Sequence, residues 1–314
     1  MKHSSLKVSA PGSLMLTGEH AVLRGYPALV AAVNLRLCVE ILPHDKNEIL
    51  IESDKFGILT TPLENLNLAA MASPFHFMGQ VLSKFTPYLK NGLRINITSE
   101  FSPTLGLGSS AALTVSLFYA LSLWFNIHIN KKNLALRVID IIRSSQNGLG
   151  SGADVIASVY GGVVYFITKP FQMECLTPLP PLVTVYSGSK TATPIVIDLV
   201  NQNEKNNPAQ FHAIFKQIGD YSIQAREAII QQDWPHLGAL FSAHALLQEA
   251  LGVSTSKLDE IQQRLVKQPS IYGAKISGSG LGDCVIAVGE LPENSDIDVV
   301  PVSLSNQGVQ HERT

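Results

Sequence analysis

Two hydrophobic rhythms run through the chain, and the switches between them mark its elements. Residues 6–10, 48–52 and 94–98 read as short strands, the last with Ile95 and Ile97 on one side. Residues 26–42 form a long run rich in Val, Leu and Ile, interrupted by Asn34 and Arg36, and predict a buried strand or strand pair. Helical spacing appears over 75–89, where Phe77, Val81, Phe85 and Leu89 share a face. It returns over 111–125, and again over 130–144 through Leu134, Val138, Ile141 and Ile142. Residues 155–167 cross Gly161-Gly162 into a strand at 163–166. Prolines over 178–181 mark a linker, followed by a strand at 182–186. Residues 208–251 read as helix with a break at Asp233-Trp234-Pro235, and 257–266 as a further helix. Strands at 274–276 and 284–288 close the pattern. Pro11-Gly12-Ser13 reads as a break after the first strand, and the polar tail after Ser305 as loose. Strands and helices mix without a regular βαβ rhythm. The expected fold is therefore α+β in two lobes, residues 1–177 and 178–314.

Length agrees, since 314 residues exceed what one compact core needs. Hydrophobic residues make up 46% and charged residues 15%, a globular balance that excludes disorder. A formal net charge of −2 gives no electrostatic reason to expect nucleic acid or an anionic membrane as partner. An anion would have to bind at a local site. Cys38, Cys175 and Cys284 are far apart and odd in number, with no metal-ligand spacing, and read as reduced thiols of a cytosolic protein. Basic residues open the chain, but no long apolar stretch follows before Pro11-Gly12, so no secretory leader is expected. The apolar stretch 111–124 contains Thr114, Ser116 and Ser122 and is shorter than the roughly 20 residues of a membrane span, so it reads as a buried helix.

The candidate chemistry lies in three Gly/Ser loops. After the strand at 94–98, Gly106-Leu107-Gly108-Ser109-Ser110 leads directly into a helix. Glycines let the backbone approach an anion, and unpaired amides and the helix dipole favour negative charge there. The same residues also suit an ordinary turn and N-cap. The loop is not a Walker A motif, because no Gly-Lys-Ser/Thr follows at the required spacing. Glu19-His20 sets a carboxylate beside an imidazole just after Gly18, either as site residues or as a solvated pair at a strand end. Asp154 follows Ser151-Gly152 in a second Gly-rich segment over 147–152, as a site carboxylate or a helix N-cap. Lys275 precedes the third loop, Ser277-Gly278-Ser279-Gly280-Leu281-Gly282-Asp283. His76, His128, His212, His236 and His244 form no constellation and read as structural or surface residues.

These three loops, in this order, resemble the superfamily of galactokinase, homoserine kinase, mevalonate kinase and phosphomevalonate kinase. Gly106-Leu107-Gly108-Ser109-Ser110-Ala111-Ala112 is the most specific of them. Gly18-Glu19-His20-Ala21-Val22-Leu23, Gly25-Tyr26-Pro27-Ala28 and Ser151-Gly152-Ala153-Asp154 look most like the mevalonate kinase branch. The resemblance implies a two-lobed α+β fold with the site between lobes, and transfer of the ATP γ-phosphoryl to a small alcohol, with mevalonate as the first expectation. It implies that Gly106, Leu107, Gly108, Ser109, Ser110 and Ala111 hold the phosphates, and that Ser110 contacts Mg²⁺. Asp154 is the implied base, with Lys190 near the transferred phosphate. Glu19, His20, Ser151, Gly152, Thr193, Ser277, Gly278 and Ser279 are the implied acceptor-site residues. ATP and Mg²⁺ are the implied cofactors, a small molecule the partner, and a homodimer a further expectation.

Three positions depart from the pattern. The residue after Ala10-Pro11-Gly12 is lysine in kinases of this group and Ser13 here, which supplies no charge. Where the helix before Asp154 offers a Mg²⁺-binding glutamate, this chain has Arg143. Arg143 or Lys190 is expected to replace part of the missing charge. Finally, Gly282-Asp283-Cys284 and residues 187–193 look at least as much like phosphomevalonate kinase, which leaves a phosphorylated alcohol as the alternative acceptor. A non-catalytic sensor on the same fold is the alternative of another class. The decarboxylase branch differs in its N-terminal motif.

Overall fold

The computed structural model describes residues 5–66, 73–146 and 148–313. The first residues of the leader reading and Asn147, at the head of the second Gly-rich segment, lie outside them.

The first sheet is built on two long strands, β1 (Leu6–Thr17) and β2 (Ala28–Pro43), paired antiparallel. β3 (Glu48–Ser53), β4 (Gly57–Pro62) and β5 (Leu93–Ser99) extend one side in the order β1-β2-β5-β3-β4. The C-terminal half of β2 pairs with β5, while Ala28 to Ala31 pair with β6 (Val163–Ile167), which pairs in turn with β7 (Gln172–Leu176). One continuous 16-residue strand thus serves two partners, β5 and β6, in addition to β1. This resolves the expected strand or strand pair over 26–42 into a single strand.

Pro11-Gly12 does not end β1. The strand runs through it, and the register shifts between Pro11 and Ser13, as a bulge does. The bulge is where the Gly106–Ser110 loop docks. Ser13 N–H donates to the Leu107 carbonyl at 3.0 Å, and a methyl on Gly12 would fall 2.7 Å from that same oxygen. Only a glycine admits so close a backbone.

Helix α1 (His76–Ser83) is shorter than the expected 75–89, because Pro87 turns the chain into a 3-10 turn over Thr86–Tyr88. Helix α2 (Ser109–Trp124) is buried on nearly every side between β1, β2, α1, α3 (Lys131–Ser145) and α4 (Ala153–Tyr160). Its small residues Ala111, Ala112 and Ala120 let those neighbours approach. The Asn130 side chain caps α3 by accepting from Asn133 N–H.

After residues 178–181 the chain enters a second sheet, ordered β8 (Leu182–Tyr186), β10 (Cys284–Gly289), β9 (Ile271–Ser277). Helices α5 (Thr193–Asn206), α6 (Pro208–Gln231), α7 (Trp234–Ala250) and α8 (Ser256–Val266) lie between β8 and β9 in sequence. α7 and α8 pack on this sheet, while Ala228, Ile229, Leu240 and Phe241 also join the core of the first.

The tail is not loose. Residues 310–313 form β11 (Gln310–Arg313) on the open edge of β1. Arg36 donates to the Gln307 and Gly308 carbonyls, and Gly162 N–H to the Ser305 carbonyl. A methyl on Gly161 would fall 2.4 Å from Asn306 O, so that glycine exists for the tail to pass.

Candidate active site

Each Gly/Ser loop ends at one cavity of about 160 Å³. Gly108 occupies the N-cap of α2 in the left-handed conformation (φ 64°), and the helix begins at Ser109. The first helical hydrogen bonds come from Ala111 and Ala112 to the Gly108 carbonyl. The amides of Ser109 and Ser110 precede them and so have no intrahelical acceptor, and Gly106, Gly108, Ser109, Ser110 and Ala111 line the cavity. No serine hydroxyl caps this helix. Leu107 is different: its side chain is buried and its carbonyl is committed to Ser13, so it anchors the loop and does not line the cavity.

Asp154 stands in the first turn of α4, after Gly152, so it is not the N-cap. Its Oδ1 accepts the Ser13 hydroxyl at 2.7 Å. Among the described residues its Oδ2 has no hydrogen-bond partner. Burial pushes the Asp154 carboxyl above the ordinary range, opposed by the Ser13 hydroxyl and the Lys190 cation. Ser151 and Gly152 line the same wall.

Lys190 reaches the cavity from the β8–α5 connection and donates to the Pro103 carbonyl at 3.0 Å. It is the lone cationic side chain among the described lining residues. Arg143 does not line the cavity. Its guanidinium donates to the carbonyls of Gly150 and Ser151 at 3.1 and 3.2 Å, which holds the turn that presents Asp154. Of the two residues expected to replace part of the missing charge, Arg143 is thus not brought to the cavity wall.

Glu19 and His20 are buried at 3% and 4% exposure, which rules out a solvated pair. His20 sits at φ 61°, a strained conformation for a non-glycine, held by Arg24 donating to its carbonyl. His20 Nε2 bonds the Ser279 carbonyl at 2.8 Å and therefore carries the proton. Burial lowers its pKa to about 4, so the ring is neutral and its buried Nδ1 is a free acceptor. Thr193, Ser277, Gly278 and Ser279 complete this end of the cavity, against an apolar wall of Met15, Val22, Leu23, Ile142, Val155 and Ile197.

This chain matches the GHMP kinases N terminal domain over residues 76–162 and the GHMP kinases C terminal domain over residues 225–300. The mevalonate kinase of Archaeoglobus fulgidus is 30% identical over 293 residues, covering 92% of this chain and 95% of its own. The chain belongs to the GHMP kinases. It is a small-molecule kinase, and kinases of this family use ATP as phosphate donor. Solved structures share the fold. The Lin0012 protein of Listeria innocua superimposes with a TM-score of 0.86 at 22% identity, over 99% of this chain and all of that one. Streptococcus pneumoniae phosphomevalonate kinase, in complex with phosphomevalonate and AMPPNP, gives 0.79 at 17% identity, over 95% of this chain and 99% of its own. Among the described residues, no helix of the kinase is long and apolar enough to cross a membrane.

Two features of the kinase escaped the sequence reading. Behind His20, the ammonium of Lys275 donates to Glu19 Oε1 and lies over the Phe241 ring, and His244 Nε2 stands 3.5 Å from Glu19 Oε2. Burial and the Lys275 cation keep His244 neutral. Burial pushes Glu19 up and Lys275 down, and each charge offsets the other's desolvation. Gln248 fixes this strand by bonding both the N–H and the carbonyl of Ile276. The second feature is Asp283, a carboxylate on the cavity wall whose pKa burial and nearby Asp154 push up to about 6, against Lys190. Its adjacency to the third Gly loop was a visible signal. Nothing local in the sequence marked His244 as a neighbour of Glu19.

Proposed function

We propose that this kinase transfers the γ-phosphoryl group of ATP to the primary hydroxyl of mevalonate, giving 5-phosphomevalonate, with Mg²⁺ as the companion cation. The observation that carries the reading is Asp154, oriented through one oxygen by Ser13 and with the other free, beside the helix N-terminus of the Gly106–Ser110 loop. The name mevalonate kinase, carried by a relative that matches over almost the whole chain, supports the acceptor.

The amides of Ser109 and Ser110, with the α2 dipole behind them, bind the phosphate oxygens. Lys190, tethered at Pro103, sets its charge beside the transferred group and takes the place of the lysine absent at Ser13. Asp154 Oδ2 accepts the acceptor's hydroxyl proton as its oxygen bonds to the γ-phosphorus and the β–γ bridging bond breaks toward ADP. A carboxylate raised by burial is a stronger base than one in water, which suits that step. His20 Nδ1 accepts a second acceptor hydroxyl. The apolar wall around Met15, Val22 and Ile142 suits a methyl-bearing carbon chain. Mg²⁺, when bound, neutralises the β- and γ-oxygens. The Ser110 hydroxyl and the second lone pair of Asp154 Oδ1, beside the one that Ser13 occupies, would fit a hard divalent ion and leave Oδ2 for the proton. A phosphorylated acceptor would bring further negative charge to a cavity whose described lining residues offer one cation, which favours the unphosphorylated alcohol.

The test is turnover of Mg-ATP with mevalonate, phosphomevalonate, homoserine and galactose, reading ADP release and product mass. Phosphorylated product from mevalonate alone is expected. Preference for phosphomevalonate, or no turnover with any of the four, overturns the assignment.

A further inference from the structure

One carboxylate in the cavity has no task in the scheme above. Asp283 is 4% exposed, lines the cavity, and its Oδ1 has no hydrogen-bond partner among the described residues. Its backbone is pinned at φ 64°, with Ser187 N–H donating to its carbonyl at 3.0 Å and its own N–H donating to Ser189 O at 2.8 Å. A strained, doubly anchored residue delivers its side chain to a fixed place.

That place is the phosphate-binding loop. A methyl on Gly106 would fall 2.7 Å from Asp283 Oδ1, and one on Gly278 would fall 3.0 Å from Oδ2. Two residues on, a methyl on Gly108 would lie 3.4 Å from Asp154 Cγ. Two carboxylates therefore rest against alternate glycines of one loop. The loop attracts a polyphosphate, yet the carboxylates repel it, and Lys190 alone is too little cationic charge to offset both. A divalent cation seated between carboxylates and phosphates turns the repulsion into attraction. Orphaned buried carboxylate oxygen is the donor such an ion takes. Helix α3 offers no alternative, because Arg143 faces the 150–151 turn.

We propose that Asp283 is a ligand of the divalent cation that accompanies the donor nucleotide, and shares it with Asp154. The second carboxylate of the metal position then comes from the β9–β10 loop of the second sheet instead of from α3. Cation binding thereby ties that loop to the Gly106–Ser110 loop of the first. The inference rests on the reading of the cavity as an ATP site.

The test uses Mn²⁺ with the non-hydrolysable analogue AMPPNP and electron paramagnetic resonance of free and bound Mn²⁺. Asp283→Asn, checked for native circular dichroism, is expected to weaken Mn²⁺ binding in the analogue complex by at least about tenfold. Its affinity for the analogue without metal stays the same or rises. In a second measurement, Asp154→Asn protein carrying ¹³C-carboxylate aspartate retains a ¹³C hyperfine coupling to bound Mn²⁺, with no change made at Asp283. Wild-type Mn²⁺ affinity in Asp283→Asn, or no coupling in Asp154→Asn, overturns the proposal even where analogue binding is intact. Failure of the wild-type protein to bind the analogue at all overturns the ATP reading and the inference together.

Discussion

Ser13 donates its hydroxyl to Asp154 Oδ1 at 2.7 Å across 141 positions of sequence. Ser13 therefore orients the carboxylate proposed as the base. The hydroxyl favours the charged carboxylate, so its removal raises the Asp154 pKa further. Ser13→Ala is expected to lower kcat by about tenfold, in line with the loss of one hydrogen bond to a charged group. Because the base must be deprotonated, the acid limb of the kcat–pH profile moves to higher pH. An unmoved limb would show that Ser13 only fills space.

Lys190 and Arg143 separate by role. Lys190→Ala removes the one cationic side chain among the described lining residues, and kcat is expected to fall by about 10²-fold or more. Arg143→Ala frees the turn before Asp154, so kcat and KM change together by a smaller factor, with a lower Tm. Steady-state kinetics with a melting curve distinguishes them. Full kcat in Lys190→Ala refutes the assigned charge.

Gly108→Ala tests the loop itself. Alanine at φ 64° costs about 1–3 kcal/mol, and its methyl would fall 2.2 Å from Ser13 Oγ. Loss of nucleotide binding with a lowered Tm is expected, read by titration with AMPPNP and by calorimetry.

His20 makes stability depend on pH. Its folded pKa of about 4 lies below the value of 6.5 for the free side chain. The unfolded chain therefore binds a proton as pH falls below about 6.5, while the folded chain refuses it until about 4. Stability is lost across that window, by up to about 3 kcal/mol, and is fully present above it. Asp283, raised to about 6, acts in the opposite sense over an overlapping range, so the comparison is between wild type and His20→Gln. Denaturant unfolding at pH 4.5 and 7.5 should show a smaller pH difference in the variant.

Substitutions in the Lys275–Glu19 pair should be non-additive. Lys275→Met or Glu19→Gln alone leaves a buried charge without its partner, at a cost of about 3–5 kcal/mol. The double variant should recover a large part of that loss, and a double-mutant cycle measures the coupling. Additive losses would refute it.

Legibility in the sequence followed whether a feature is carried by side chains close together. α2, α3, α6 and α7 were readable because their buried positions recur along one stretch. β4 was not, because its residues are mostly exposed and show no apolar alternation. Thr193-Pro194 and a narrow buried stripe of Val196, Ile197 and Val200 hid α5. β11 is held by backbone pairing to an open edge, which leaves no mark on side-chain hydrophobicity. Pro11-Gly12 read as a break because its punctuation is local, whereas the loop that makes it a bulge arrives from Leu107.

The sequence by itself determined the three Gly/Ser loops, the helices behind two of them and the candidate residues they carry. Glycine's freedom at positive φ and the apolar period of a helix are properties of short segments. Only the tertiary structure decided that Ser13 holds Asp154, that Lys275 and His244 stand behind Glu19, and that Asp283 lies against Gly106. Those relations join residues far apart in the chain. They depend on strand register and on how the second sheet's loop meets the first sheet's helix, which no local pattern encodes.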